Sequence, residues 1–181
     1  MANKALVVID YTVDFVADDG KLTCGAPGQA IEQTIAGLVK EFLTNKDTVI
    51  FANDLHYEGD TLHPESKLFP PHNIVGTPGR ELYGAVKDIY EENKSRCLSI
   101  DKTRYSAFAG TNLGILLKER QIDELYLVGV CTDICILHTA VDAYNTGFTI
   151  VVPKDGVASF NAAGHEWALG HFANSLGAKI V

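Results

Sequence analysis

Cys135 is the side chain in this sequence best placed to attack an electrophile. It stands in the stretch Leu127-Val128-Gly129-Val130-Cys131-Thr132-Asp133-Ile134-Cys135-Ile136-Leu137-His138-Thr139-Ala140. There an apolar run suited to a buried strand passes through Thr132 and Asp133, two good N-cap types, into helical spacing. A thiol in the first turn of a helix meets unpaired backbone N–H groups and the positive end of the helix dipole. Both favour a thiolate, and the N–H groups can hold an oxyanion. A small buried hydrophobe fits the same position. Asp10 and Lys102 add a carboxylate that can take the thiol proton and an ammonium that favours both ionised forms, or else a structural ion pair. Asp54, His56, Glu65 and His72 offer oxygen and nitrogen donors suited to one divalent ion such as zinc, iron or manganese, with His63 competing for a position.

For these residues to act together the fold must bring them to one place. Apolar runs predict strands at 4–10, 48–53, 96–100, 124–130, 149–152 and 178–181, and helical stripes predict helices at about 31–43, 81–93, 111–120, 133–145 and 161–175. Strand and helix alternate. The pattern predicts one α/β domain over residues 1–181, with a six-stranded, mainly parallel sheet covered by helices on both faces. In such sheets ligands bind beyond the carboxyl ends of the strands, where Asp10, Asp54, Lys102 and Cys135 are all expected. Residues 54–79 show no period, yet hold His56, His63, Glu65 and His72, and a loop of that length in a compact domain is usually functional.

Other residues have duller readings beside the chemical ones. His138 falls on the predicted apolar stripe of Ile134, Leu137 and Val141 and reads as a packed histidine rather than a base. Cys131 and Cys135 lack the spacing of thioredoxin-like pairs. Phe15, Phe69, Tyr105 and Phe108 lie in or beside the predicted rim loops, where they clamp a flat ring or close the edge of the core.

The bulk properties narrow the ligand. In 181 residues, 46% are hydrophobic and 21% charged, which is ordinary for a globular domain. A formal net charge of −8 disfavours nucleic acid and anionic membranes and leaves a small neutral or cationic molecule. Four unpatterned cysteines fit reduced thiols, and with no apolar run of signal or membrane length a cytoplasmic location is expected. Helical faces left over from the core predict a homo-oligomer.

Seven segments in order resemble the nicotinamidase and pyrazinamidase branch of the isochorismatase-like cysteine hydrolases. They are Val-Val-Ile-Asp-Tyr-Thr-Val-Asp-Phe (7–15), Asn-Asp-Leu-His (53–56), His-Pro-Glu-Ser (63–66), Phe-Pro-Pro-His (69–72), Gly-Thr-Pro-Gly (76–79), Asp-Lys-Thr-Arg-Tyr-Ser-Ala-Phe (101–108) and Val-Gly-Val-Cys-Thr-Asp-Ile-Cys (128–135). The resemblance implies a Rossmann-like sheet, a triad of Asp10, Lys102 and Cys135, and a divalent metal, zinc ahead of iron or manganese, held by Asp54, His56, Glu65 and His72. It implies a cis peptide before Cys131, whose N–H would meet an oxyanion together with that of Cys135. The implied substrate is nicotinamide, hydrolysed to nicotinate and ammonia through a Cys thioester in NAD salvage, with its ring between Phe15, Phe69 and Tyr105 and its nitrogen on the metal. Pyrazinamide would serve as well. Choosing Glu65 over His63 follows the match of His-Pro-Glu-Ser, and Cys131 is a second thiol where relatives carry another small residue. A C–N hydrolase of carbamoyl or ureido compounds, and a catalytically silent binding domain, are the alternatives within this resemblance.

Overall fold

The computed structural model describes residues 3–181. Seven strands form one parallel sheet: β1 (Lys4–Ile9), β2 (Thr48–Asp54), β3 (Leu98–Lys102), β4 (Glu124–Val130), β5 (Thr149–Val152), β6 (Val157–Ala158) and β7 (Lys179–Ile180). The order is β3-β2-β1-β4-β5-β7, with β6 also pairing β4. The sequence predicts six strands; the seventh is β6. Pro153, which has no N–H to give a ladder, breaks the chain after β5. A turn at Lys154–Gly156 then returns it to the same side of β4, beside Gly129 and Val130. Two residues are too few to show an alternation, so β6 leaves no periodic trace in the sequence.

The helices are α1 (Val13–Val16), α2 (Ala26–Ala30), α3 (Glu32–Asn45), α4 (Gly84–Asn93), α5 (Leu113–Glu119), α6 (Leu137–Asn145) and α7 (Ala162–Ser175). The short α1 and α2 lie between β1 and α3, where the sequence predicts neither a strand nor a helix. Alternate residues of the central strands face opposite layers. Ala5, Val7, Ile9, Ile50, Ala52, Leu125 and Leu127 pack with Leu113, Leu117, Ala140 and Phe172 of α5, α6 and α7. Leu6, Val8, Val49, Phe51, Val128 and Val130 pack with Ile35, Val39, Phe42, Val86 and Ile89 of α3 and α4. Burial on both faces explains why these strands read as unbroken apolar runs. Among the described residues no helix is long and apolar enough to cross a membrane.

Strand order reverses between β1 and β4, so the crevice at their carboxyl ends is the natural ligand position. Gly129 makes that approach close: its φ is +119°, and a Cβ there would sit 2.0 Å from the Ile9 carbonyl oxygen. Gly129→Ala is therefore expected to cost at least about 2 kcal/mol, read as a lower unfolding midpoint in denaturant. A variant as stable as the parent would mean that the two strands separate freely here.

Candidate active site

Four elements deliver the reactive groups. Asp10 follows β1 with φ at +54°, a region that Asp enters more readily than most residues. In that conformation its N–H reaches the Ala52 carbonyl at 3.1 Å and its Oδ1 accepts from the Asp54 N–H at 2.7 Å. Asp54 and Lys102 end the neighbouring strands β2 and β3, where they stand opposite one another in register. Lys102 Nζ lies 2.7 Å from Asp10 Oδ2, 2.5 Å from Asp54 Oδ1 and 3.6 Å from Cys135 Sγ. Asp10 and Lys102 are fully buried. One ammonium between two carboxylates in a dry site is what makes three buried charges tolerable.

Burial and the neighbouring Asp54 carboxylate push Asp10 up to about 6, against the pull of Lys102. Burial also drives Asp54 upward, but Lys102 and His56 outweigh it and hold its carboxyl below the usual range. Lys102 is kept firmly protonated: burial opposes its charge, and Asp10 and Asp54 overcome that. For Cys135 the expectation from the helix dipole is corrected. Burial pushes its thiol well up, outweighing Lys102, so the sulfur rests as S–H within 4.8 Å of an Asp10 carboxylate oxygen. It is an acid that needs a base.

The backbone around Cys135 also differs from the expected helix start. Residues Thr132–Ile136 form a π-turn ahead of α6, with the Ile136 N–H donating to the Cys131 carbonyl at 3.2 Å. Neither Thr132 nor Asp133 caps it. Thr132 Oγ1 instead meets His165 Nδ1 at 2.8 Å, and Asp133 accepts from Ser159 Oγ at 2.7 Å and Asn161 Nδ2 at 3.3 Å, tying the turn to α7. The wider turn shifts the helical phase, so that Cys135, Ile136, Thr139, Ala140 and Ala143 face inward. His138 is consequently exposed rather than packed, with Nδ1 on the Ile134 carbonyl at 2.8 Å and its ring beside Tyr105. The Val130–Cys131 peptide is cis, as the resemblance implies. Among the described residues the Cys131 N–H has no hydrogen-bond partner.

The aperiodic segment after β2 is held by local ties. His56 bridges Ile74: the His56 N–H reaches the Asn73 carbonyl at 3.1 Å and the Val75 N–H reaches the His56 carbonyl at 2.9 Å. The buried Asp14 carboxylate accepts from the Asn73 N–H at 2.7 Å, and Arg80 Nε donates to the Asp54 carbonyl at 2.8 Å while its guanidinium pairs with Asp101. Asp54, His56, Glu65 and His72 thereby come together, each offering one ligand atom within 4.8 Å of the others. Asp54 Oδ2, His56 Nε2 and His72 Nε2 are buried without a hydrogen-bond partner among the described residues, a costly arrangement unless something binds them. His72 Nδ1 is engaged by the Pro70 carbonyl at 2.8 Å, which leaves Nε2 for a ligand. Two imidazoles and two carboxylates around one point fit zinc, iron or manganese. His63 has both ring nitrogens engaged elsewhere: Nδ1 accepts from the Glu65 N–H at 3.2 Å, and Nε2 meets the Thr103 carbonyl at 2.7 Å.

A narrow cleft joins the donor cluster to Cys135. Its walls include Phe15, Phe69 and Tyr105, as the sequence predicts, and also Leu22, Ile134 and Phe160, which it does not single out. Phe108 lies elsewhere, packed on Phe148 with ring centroids 5.9 Å apart. Leu22 and Phe160 sit in segments with no periodicity, and only the folded chain brings them to the rim. Together the groups suit acyl transfer from a flat, uncharged amide: a thiol, an adjacent base, and a coordinating point at the far end of an apolar slot.

Comparison with known proteins agrees with this geometry. The isochorismatase domain model matches residues 4–181. The chain is 63% identical over 180 residues to the uncharacterized isochorismatase family protein PncA of Bacillus subtilis, covering 98% of each. The crystal structure of nicotinamidase/pyrazinamidase PncA from Bacillus subtilis superposes with a TM-score of 0.97 at 58% identity, covering 99% of both chains. That of pyrazinamidase of Pyrococcus horikoshii in complex with zinc superposes with a TM-score of 0.85 at 27% identity, covering 99% of this chain and 98% of that one. With a buried thiol, carboxylate and ammonium in contact at the sheet's switch point, and with these relatives, this chain belongs to the isochorismatase family.

Proposed function

We propose that this chain is a nicotinamidase, an amidohydrolase that converts nicotinamide to nicotinate and ammonia with Cys135 as nucleophile. One observation carries the reading: the Cys135 thiol opens on the same apolar cleft as Asp54 and Glu65, two members of the four-donor cluster that also holds the unpartnered nitrogens of His56 and His72. A pyridine carboxamide has an electrophilic carbon for the first and a ring nitrogen for the second.

Asp10 takes the thiol proton as Sγ attacks the carboxamide carbon. The N–H groups of Cys131 and Cys135 receive the oxyanion, worth about 3–4 kcal/mol per donor in comparable sites. Asp10 returns the proton to the departing nitrogen, ammonia leaves, and the acyl group remains on Cys135 as a thioester. A water gives its proton to Asp10 and cleaves that bond, releasing nicotinate and restoring the thiol. Lys102 fixes Asp10 and steadies negative charge on the sulfur as it develops. A divalent ion held by Asp54, His56, Glu65 and His72, zinc before iron or manganese, would supply a Lewis acid for the ring nitrogen. Phe15, Phe69 and Tyr105 bracket the ring. A carbamoyl or ureido substrate would leave the four-donor cluster without a purpose.

Zinc-loaded protein is expected to release ammonia and nicotinate in equal amounts from nicotinamide, and to accept pyrazinamide, which has the same nitrogen and amide. Chelation is expected to weaken nicotinamide binding by about tenfold or more, measured by calorimetry. A metal-loaded preparation that leaves nicotinamide intact would overturn the reading.

A further inference from the structure

Cys24 and Cys131 make a second pair of sulfurs that the hydrolytic scheme does not use. Their Sγ atoms are 3.3 Å apart, although 107 residues separate them in sequence. Both are buried without being sealed, at 4% and 5% exposure, and Cys131 lines the substrate cleft. Cys24 is placed from its backbone, with its N–H on the Phe15 carbonyl at 2.8 Å, and Gly25 follows in a positive-φ turn. The contact with Cys131 lowers the pKa of Cys24, against burial, and the same contact raises that of Cys131. Either thiol can donate across this 3.3 Å contact, and the direction of the shifts favours Cys24 as the first sulfur to react.

We propose that Cys24 and Cys131 form a reversible disulfide under peroxide, and that this bond switches the hydrolase off. The reaction balances with hydrogen peroxide as the oxidant. The Cys24 sulfur attacks one peroxide oxygen, the O–O bond breaks, and water leaves with a sulfenic acid formed on Cys24. The Cys131 sulfur then attacks the sulfenic sulfur; the S–S bond forms, the S–O bond breaks, and a second water carries away the thiol proton. Two thiols lose two electrons and one peroxide becomes two waters. A small dithiol restores both by exchange.

Bond formation requires the sulfurs to close from 3.3 Å to about 2.05 Å. Cys131 is the residue whose N–H receives the oxyanion, so that movement reaches the reaction without altering Cys135. This consequence rests on the proposed nicotinamidase reading; the cross-link itself does not.

The test treats zinc-loaded protein with hydrogen peroxide and follows intact mass, non-reducing peptide maps and nicotinamide turnover. The expected result is a loss of about 2 Da, a linked pair of peptides carrying Cys24 and Cys131, and a fall in turnover of about 10²-fold that dithiothreitol reverses. Cys24→Ser and Cys24→Ala are expected to keep basal turnover, form no link and lack the reversible loss. Peroxide that leaves both thiols free, or reversible inactivation undiminished in the Cys24 variants, would overturn the proposal. A cross-link found in protein that never turned over nicotinamide would retain the disulfide site and reject only the activity reading.

Discussion

Cys135→Ala is expected to lower ammonia release from nicotinamide by about 10⁴-fold or more, because no other group replaces a covalent nucleophile. The surroundings explain why the loss is so complete. In the proposed reaction Asp10 accepts the thiol proton, and Lys102 contacts the sulfur, so both would act through Sγ and neither is a substitute for it. Removing one buried sulfur costs on the order of 1 kcal/mol of stability, too little to unfold the domain. Metal content and nicotinamide affinity should therefore match the parent while turnover disappears. Wild-type ammonia release from the variant would reject Cys135 as the nucleophile.

Lys102→Met is expected to cost about 3–5 kcal/mol of folding stability in addition to the loss of activity. The methionine fits the volume but leaves Asp10 and Asp54 facing each other in a site that is essentially dry. Denaturant unfolding of metal-free protein measures this directly. Adding Asp10→Asn to Lys102→Met should recover part of the loss, since it removes one of the two stranded carboxylates. Stability unchanged in the single variant would mean that Lys102 carries no structural charge balance.

The sequence makes some of this fold easy to read and hides the rest for physical reasons. Strands β4 and β5 lie where the apolar runs place them, to the residue, because strands buried on both faces must be continuously apolar. Asp10, Asp54 and Lys102 are legible for a related reason: a charged residue ending such a run marks the rim of a parallel sheet. The π-turn at Thr132–Ile136 is not legible, since an i→i+5 ring has no composition of its own. Thr132 and Asp133 have the composition of caps, yet their side chains bind α7 across the chain, and local propensity carries no sign of that partner. Likewise Asp14 and Arg80 hold the donor loop through backbone groups distant in sequence, and neither contact has a spacing to detect.

The sheet order bears on how the molecule is made. Of the seven strands β1 comes first in sequence yet lies at the centre, and its neighbour β4 comes from residues Glu124–Val130. Until residues 124–135 have been synthesised, one long edge of β1 has no ladder partner, and Asp10 has no Cys135 to meet. The nascent chain must remain open for that interval, exposing an apolar strand edge of the kind that chaperones shield.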